Sequence, residues 1–244
     1  MANLNGERIV VTGASRGLGR SMALRLSAEG ASVALVARDG DELTAVAADA
    51  DGETLVAPAD VRDADSVSRA VERTVDAFGG IDTLVNNAAV GLLSLGKDGK
   101  LLGDVTEDEW ELVLDTNLTG VFRFSKATLP HMLDGGSGNV VNVSSGLAEK
   151  PAPRFGPYAA SKAGVEALTR TMAAEYDEAG INVNSLGPGG RVNTAFWDHL
   201  PDEERESILQ PDVMDEAAVL LAGQGPEGVS GESLAAPAWE RRLG

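Results

Sequence analysis

The chain has 244 residues, no cysteine and two histidines, and its 38 acidic and 20 basic residues give a net charge of −18. Because cysteine is absent, disulfide bonds and thiolate metal sites are excluded, and with only His131 and His199 available we predict no metal site. So acidic a surface repels nucleic acids and anionic membranes, which we exclude as partners. No apolar run is long enough to span a bilayer and the N-terminus lacks the pattern of a signal peptide, so we expect a cytoplasmic protein.

Short apolar runs rich in β-branched residues alternate along the chain with longer stretches of helical periodicity. This alternation is typical of βαβ units around a parallel sheet, and it predicts an α/β fold with a doubly wound sheet and helices on both faces. The predicted strands are Arg8–Thr12, Ser32–Ala37, Thr54–Ala57, Thr83–Asn86, Asn139–Val143 and Asn182–Leu186. The predicted helices are Leu18–Ala28, Glu42–Ala50, Ala64–Phe78, Glu107–Leu133 and Tyr158–Glu178.

The turn after the first strand, Thr12–Gly19, reads Thr-Gly-Ala-Ser-Arg-Gly-Leu-Gly and opens the first helix. A phosphate-binding turn requires this context. Gly13 permits a tight turn, Gly17 lets the backbone approach a pyrophosphate, and Gly19 lets the helix pack closely on the sheet. The pattern predicts that a dinucleotide binds across the switch point of the sheet.

The end of the second strand bears on the choice between NAD and NADP. An acidic side chain there would bond the ribose 2′-hydroxyl and repel a 2′-phosphate. The strand instead ends Val36-Ala37-Arg38, and Arg16 lies inside the glycine-rich turn. Two guanidinium groups favour a 2′-phosphate, so we predict NADP(H) rather than NAD(H). The alternative is that Asp39 simply pairs with Arg38.

Tyr158 and Lys162 lie four residues apart, which places both on one face of a helix, about one turn from each other. An ammonium group beside a phenol favours the phenolate and lowers the tyrosine pKa from about 10, so that proton transfer becomes feasible near neutral pH. Ser145 precedes the tyrosine by 13 residues. The alternative for the pair alone is an ordinary surface helix.

Together, the glycine-rich turn, the run Asn86-Asn87-Ala88-Ala89 and the Tyr158–Lys162 pair resemble the short-chain dehydrogenase/reductase family, in its compact single-domain branch. The resemblance spans residues 7 to about 194. It implies a seventh, short edge strand near Ser233–Ala235, and hence a Rossmann-type sheet of about seven strands. A chain of this length forms one large α/β domain or two small ones, and because no linker or composition break divides it, we predict that residues 1–244 form one domain. The resemblance implies that this domain binds NADP and contains the active site.

The resemblance further implies a catalytic set made of Asn117, Ser145, Tyr158 and Lys162. In such a set, Ser145 bonds the substrate oxygen and Tyr158 protonates it. Lys162 lowers the tyrosine pKa and bonds the ribose, and Asn117 holds a water that relays protons. The alternative for Asn117 alone is a buried asparagine that satisfies the backbone at a helix kink. Ser145 is preferred to Ser144 because the 13-residue step to Tyr158 matches the family spacing.

Cofactor contacts also follow from the resemblance, with two departures from the family pattern. Ala89 stands where the family usually has glycine, and Thr194 comes five residues after Gly189 instead of four, which indicates a one-residue insertion. The implied cofactor-binding residues are Gly13, Ser15, Arg16, Gly17, Leu18, Gly19, Arg38, Asp60, Val61, Asn87, Ala88, Ala89, Tyr158, Lys162, Pro188, Gly189 and Thr194.

The substrate is expected to contact three variable loops, which are Gly91–Asp104, Gly146–Pro157 and Thr194–Pro211. Four apolar side chains in them line a substrate pocket or, alternatively, pack as core or lid: Phe155, Phe196, Trp197 and Leu200. Arg154 and Arg191 are expected to bind an anionic substrate or, alternatively, to form ion pairs with acidic side chains. The first substrate hypothesis is a 3-oxoacyl thioester. The alternatives are a sugar or polyol dehydrogenase and, from another class, a non-catalytic NADP-binding sensor.

Two further expectations concern assembly and salt. The resemblance implies a homotetramer formed through the fourth and fifth long helices. The C-terminal segment Pro237–Arg242 departs from the usual ending of the family, which places the second interface of the tetramer in doubt. A dimer is the alternative. The net charge of −18 indicates a salt-loaded cytoplasm, as in an extreme halophile, because self-repulsion is screened at high salt. The alternative is an ordinary acidic bacterial protein.

Overall fold

The computed structural model describes residues 3–150 and 152–244. Met1, Ala2 and Pro151, the last of which belongs to the predicted loop Gly146–Pro157, lie outside the described residues. In the described part of the chain, seven strands form one parallel sheet in the order β3-β2-β1-β4-β5-β6-β7. The strands are β1 (Arg8–Thr12), β2 (Ser32–Val36), β3 (Thr54–Val56), β4 (Thr83–Asn86), β5 (Gly138–Val143), β6 (Ile181–Gly187) and β7 (Ser233–Ala235). The predicted doubly wound fold is confirmed.

Helices cover both faces of the sheet. Those of the described residues are α1 (Gly17–Ala28), α2 (Gly40–Ala48), α3 (Ala64–Phe78), α4 (Glu107–Leu114), α5 (Gly120–Gly135), α6 (Gly156–Tyr176), α7 (Asp202–Ser207), α8 (Asp215–Ala222) and α9 (Ala236–Leu243). The last three were not predicted from the sequence. Helix α2 begins two residues before the predicted Glu42, because the Asp39 carboxylate accepts hydrogen bonds from the Asp41 and Glu42 amides and so caps it.

The predicted helix Glu107–Leu133 is interrupted by a π-helical turn, Asp115–Thr119, between α4 and α5. A π turn adds one residue to the helical repeat, and such turns recur at functional sites. The apolar periodicity on either side continues across it, so the sequence pattern alone does not reveal the extra residue. Asn117 lies at the centre of the turn.

Two hydrophobic cores flank the sheet. On one face, α1, α8 and α9 pack with residues that include Met22, Leu26 and Val219. On the other face, α3, α5 and α6 pack with residues that include Val71 and Phe124. Each core covers strands that are buried on both sides, which explains why their sequences are almost continuously apolar.

The C-terminal segment, where the sequence departs from the usual family ending, folds into α9. The Trp239 ring is fully buried in the same core as α1 and α8. Its indole Nε1–H donates a hydrogen bond of 2.9 Å to the backbone carbonyl of Ser185 in β6. The tail is therefore attached to the central sheet through one aromatic anchor.

The strand order reverses between β1 and β4, which are neighbours although β2 and β3 lie between them in sequence. Ligands of open α/β sheets bind at such a switch point, outside the carboxyl ends of the strands. Across residues 3–150 and 152–244, no helix has the length and apolar character needed to cross a membrane. The same residues contain no cluster of side chains suited to hold a metal ion.

Candidate active site

A cleft of about 1660 Å³ opens along the carboxyl ends of the strands, where the switch point predicts a ligand. With one exception, every predicted cofactor-binding residue lines it. The exception is Gly19, which is buried behind the glycine-rich turn. A Cβ at Gly19 would overlap the Gly13 carbonyl and the Asn87 amide, so its lack of a side chain serves the packing of the turn itself. The close packing predicted for Gly19 agrees with this geometry, and its place among the cofactor contacts stays a prediction.

The glycine-rich turn has the geometry of an anion site. Gly13 and Gly17 have φ angles of +68° and +57°, which side-chain-bearing residues rarely adopt. The Arg16 side chain does not cap α1, whereas Asp39 and Asp63 cap α2 and α3. The first amides of α1 therefore keep their hydrogen-bonding capacity for a phosphate group, and the turn fits a dinucleotide.

Asn87 supports this turn from the end of β4. Its side-chain Nδ2 donates to the backbone carbonyls of Thr12, at 2.9 Å, and Gly13, at 3.2 Å. Its backbone amide donates to the Thr12 hydroxyl. Asn87 lines the cleft, but its amide hydrogens are used to hold β4 against the turn. Asn86 points into the core instead, where it donates to Ser125 and Asn142.

Arg16 and Arg38 are both exposed at one end of the cleft. Asp39 is occupied in capping α2, and within the described residues neither arginine is in an ion pair. The alternative in which Asp39 merely pairs with Arg38 is therefore not what the structure contains. Both guanidinium groups are available to an anionic ligand.

A third guanidinium, that of Arg62, lines the same end of the cleft and was missed in the sequence. Its nitrogen lies 2.7 Å from an Asp60 carboxylate oxygen, and its backbone amide donates to the other oxygen at 2.9 Å. This pairing lowers the pKa of Asp60, with the charge of Arg38 contributing as well. The sequence signal for Arg62 was its position two residues after Asp60, because at this spacing the guanidinium group can pair with the Asp60 carboxylate within one turn of chain.

Helix α6 carries Tyr158 in its first turn and Lys162 in its second. Pro157 lies at the start of the helix, where a backbone N–H would have no intrahelical acceptor and the lack of one in proline costs no hydrogen bond. Ser145 enters from the end of β5 and lies beside the Tyr158 hydroxyl, where hydrogen bonding lowers the tyrosine pKa. All three side chains line the cleft. Ser144, the alternative serine, has a buried hydroxyl without a partner among the described residues.

The pKa of Tyr158 is raised to about 12, mainly by burial and against the opposing effect of Ser145. This differs from the expectation that Lys162 lowers it. The reason is that the Lys162 Nζ donates at 2.7 Å to the Val143 carbonyl and lies 5.8 Å from the centroid of the Tyr158 ring. Tyr158 is consequently a neutral phenol at neutral pH, which is the form that gives up a proton.

Lys162 is almost fully buried, with 2% of its surface exposed. Burial lowers its pKa to about 8, and the charge of Glu166 acts in the opposite direction. An ammonium group with this pKa is predominantly charged at pH 7 and titrates within the range in which enzymes are assayed.

Asn117 is fully buried and does not line the cleft. Its Nδ2 donates to the Val90 carbonyl and the Ser161 hydroxyl, and its Oδ1 accepts from the Val90 amide. Both amide hydrogens are thus committed, so the expected water relay does not run through them. The side chain fixes the π turn against the segment after β4 and against α6, as the helix-kink alternative describes, and a part for Asn117 in a proton relay stays a prediction.

Three aromatic side chains form one wall of the cleft next to the catalytic candidates. The Phe196 ring lies 5.0 Å from Tyr158 and 5.6 Å from Trp197, and it stacks on Phe155 at 6.1 Å. Leu200 does not line the cleft. Gly91 makes room for this wall, because a Cβ there would overlap the Phe196 ring.

The two arginines considered for an anionic substrate are otherwise engaged. Arg191 pairs with Glu204 at 2.9 Å and lies 5.4 Å from the centroid of the Trp197 ring. Arg154, the one non-glycine residue with positive φ in the described ranges, donates to the Gly99 carbonyl in the 91–104 loop. The ion-pair alternative therefore describes Arg191, and Arg154 ties two loops together.

The remaining predicted contacts lie beyond β6. Pro188, Gly189 and Thr194 all line the cleft despite the extra residue between Gly189 and Thr194. The Thr194 methyl group faces the glycine-rich turn, 3.3 Å from the place where a Cβ of Gly17 would stand. Between Gly189 and Thr194, Val192 forms an isolated parallel bridge with Leu209.

Comparison with known proteins agrees with this geometry. The family model described as short chain dehydrogenase matches residues 7–205. The chain is 36% identical over 247 residues to 3beta-hydroxysteroid dehydrogenase 1 of Eggerthella lenta, covering 95% of this chain and 92% of the relative. It is 40% identical over 204 residues to a 3-oxoacyl-(acyl-carrier-protein) reductase of Staphylococcus aureus, covering 82% of this chain and 80% of the relative.

Solved structures share the fold over nearly the whole chain. A metagenomic short-chain oxidoreductase in complex with NADP has a TM-score of 0.82 at 30% identity, covering 96% of this chain and 97% of the other. Carveol dehydrogenase of Mycobacterium avium in complex with NAD has a TM-score of 0.86 at 30% identity and the same coverage. The sequence match, the fold and the cleft together place the chain in the short-chain dehydrogenase family, whose members are oxidoreductases that act on CH–OH groups.

Proposed function

We propose that the protein is an NADP(H)-dependent reductase that converts a ketone to a secondary alcohol, with a 3-oxoacyl thioester as the first substrate. The observation that carries this proposal is the meeting of Ser145, Tyr158 and Lys162 in one cleft with the glycine-rich turn. A sensor that only bound the dinucleotide would have no use for a proton donor beside a buried lysine.

In the proposed reaction, the glycine-rich turn and Lys162 would hold NADPH, whose nicotinamide would supply the hydride that reduces the carbonyl carbon. Negative charge then develops on the carbonyl oxygen, and donors aimed at that oxygen stabilise the transition state. The Ser145 hydroxyl donates a hydrogen bond to it, and the Tyr158 hydroxyl transfers its proton to it. The Lys162 ammonium stabilises the tyrosinate that remains. Asn117 acts at a distance, by holding the π turn against α6.

The preference for NADP(H) rests on Arg16 and Arg38, which are exposed at the cleft end where no carboxylate ends β2. The structural relatives carry NADP in one case and NAD in another, so the fold alone allows either. A 2′-phosphate would meet two guanidinium groups, and each charge-assisted hydrogen bond contributes about 1.5–3 kcal/mol.

Arg38→Ala is therefore expected to weaken NADPH binding by about 10- to 150-fold, which corresponds to one such contact, and to change NADH binding little. Dissociation constants are measured for both cofactors by fluorescence titration. Arg170→Ala, which removes an exposed charge from α6 outside the cleft, serves as the matched control. Equal losses for the two cofactors, or a wild-type preference for NADH, would contradict this assignment.

The aromatic wall next to Tyr158 favours an apolar substrate over a sugar or polyol, which would leave its hydroxyl groups unpaired against Phe155 and Phe196. The same wall favours one second candidate, an alcohol on an apolar ring system, in keeping with the hydroxysteroid dehydrogenase relative. Both candidates share the reaction and differ in the shape of the group that enters the cleft.

A direct test is a screen of purified protein in molar KCl. A 3-oxoacyl thioester, a steroid ketone and a set of polyols are each offered with NADPH or NADH, or with their oxidised forms. The proposal expects thioester-dependent NADPH oxidation. Polyol-dependent reduction of the oxidised cofactor would favour the sugar or polyol alternative. Tight NADPH binding without turnover of any substrate would favour the sensor.

The proposal also includes a homotetramer in a salt-loaded cytoplasm, with a dimer as the alternative. Helix α5 exposes Phe122 and Leu133, with 49% and 44% of their surfaces accessible, which suits a helix face that contacts another subunit. The net charge of −18 opposes such an assembly at low ionic strength. High salt removes that opposition, because the Debye length falls from about 10 Å at 0.1 M to about 3 Å at 1 M.

The melting temperature and the activity are accordingly expected to rise between 0.1 and 2 M KCl, with subunits dissociating before unfolding as salt is removed. Folding free energies are only about 5–15 kcal/mol, so many small repulsions suffice to unfold the chain. Thermal scans and light scattering measure the two effects. NaCl at equal concentration should act alike, since screening depends on ionic strength. A melting temperature that stays constant over this range would favour the ordinary acidic protein.

A further inference from the structure

Glu166 is a buried carboxylate to which the proposed reaction assigns no role. It lies one helical turn after Lys162 on α6, exposes 6% of its surface and lines the cleft. Its Oε1 accepts a hydrogen bond of 2.8 Å from the Ser233 hydroxyl in β7. Its Oε2 is buried and, among the described residues, has no hydrogen-bond partner.

Such a carboxylate is costly for the fold. Burial of an ionised group without full compensation destabilises the folded state, and an apolar residue at this position would avoid that cost. Tyr158, Lys162 and Glu166 recur at intervals of four residues, so they lie along one face of α6. Glu166 therefore stands directly behind the lysine as seen from the tyrosine.

We propose that Glu166 is a positioning residue that acts through Lys162, keeping the lysine charged where it lies behind Tyr158 on α6. This inference rests on the proposed function, because it concerns the same site.

Among the described residues, Glu166 is the charged group that acts on Lys162, although the two side chains do not form an ion pair. From α6, Tyr158 faces Lys162 as a neutral phenol, and from β5 the Val143 carbonyl accepts a hydrogen bond from the Lys162 Nζ. From β7, Ser233 contributes a neutral hydroxyl that holds Glu166 in place. Burial alone moves the lysine toward its neutral form, and the Glu166 charge is what opposes this change. Without it, Lys162 would lose its proton at a lower pH.

The test measures Lys162 ionisation directly, without cofactor or substrate. The chain has only five lysines, so protein labelled with ¹³C at lysine Cε gives few NMR signals, and Lys162→Met identifies the one that belongs to Lys162. Glu166→Gln keeps the shape and the bond with Ser233 but removes the charge. We expect it to lower the pKa of Lys162 by about one pH unit, because removing a nearby opposite charge disfavours the charged form of a buried ammonium group.

Glu175→Gln is the matched control, since it removes the same charge from an exposed position on the same helix and should leave the Lys162 pKa unchanged. In kinetic assays, Glu166→Gln should move the alkaline limb of kcat to lower pH by the same amount. An unaltered Lys162 pKa in folded Glu166→Gln overturns the inference, whatever reaction the enzyme proves to catalyse.

Should Glu166→Gln fail to fold, Glu166→Asp provides the second variant. It keeps the negative charge, but the side chain is one methylene shorter and the carboxylate lies farther from Lys162. The Lys162 pKa should therefore fall by less than in Glu166→Gln. A value equal to that of the wild type would then overturn the inference. The NMR result is independent of turnover, so its failure is distinguishable from a failure of the proposed function, which the substrate screen detects.

Discussion

Replacement of Tyr158 with phenylalanine is expected to slow turnover by about 10²- to 10⁴-fold, the range typical of a lost general acid. The ring contact with Phe196, at 5.0 Å, would be kept, and so would most of the cleft surface. NADPH binding should therefore change little. Because the Tyr158 pKa is raised to about 12, the wild-type hydroxyl stays protonated throughout the assay range and the full effect should appear at neutral pH.

The measurement is kcat for the best substrate of the screen, together with the NADPH dissociation constant. The chain has only one other tyrosine, Tyr176, at the far end of the same helix, and Tyr176→Phe is the matched control. It should retain the wild-type rate. A Tyr158→Phe variant that keeps more than about a tenth of that rate would show that another group donates the proton.

Trp239→Ala is expected to lower the free energy of unfolding by about 3–5 kcal/mol, because truncating a large buried aromatic side chain loses its packing and leaves a cavity. The ring is fully buried beside α1 and α8, and its N–H donates to Ser185 in the central sheet. Against a total stability of about 5–15 kcal/mol, this loss should be readily measured by urea unfolding at constant KCl.

Trp239→Phe separates the two contributions of the indole. It keeps most of the apolar volume but loses the hydrogen bond, leaving the Ser185 carbonyl without that donor, so a smaller loss of about 1–3 kcal/mol is expected. If Trp239→Ala costs less than about 1 kcal/mol, the tail contributes little to the fold and α9 is not the anchor described above.

The fold class was predictable because it depends on local periodicity. Apolar runs such as Val33–Val36 alternate with amphipathic stretches, and each predicted strand differs from the observed one by at most a few residues. The edge strand Ser233–Ala235 is an exception, since only the family resemblance indicated it. The short helices near the C-terminus were missed because six- to eight-residue segments carry too little periodicity to identify them.

Part of the candidate site was also readable from the sequence alone. On a helix, the four-residue spacing of Tyr158 and Lys162 places both side chains on the same face. Glycines directly after a strand indicate a turn whose backbone has positive φ angles, which residues with a side chain rarely adopt. Both features are local, since the residues involved lie within one or two turns of chain. The structure places the two catalytic candidates and the glycine-rich turn on the same cleft.

Burial and pairing were decided by tertiary structure, because they depend on residues far apart in sequence. Glu166 meets Ser233 across 67 residues, and Trp239 meets Ser185 across 54. The raised pKa of Tyr158 likewise follows from its surroundings in the folded cleft, which its spacing from Lys162 does not reveal. Local patterns specify which face of an element is apolar, whereas electrostatics depend on what the fold brings against that face.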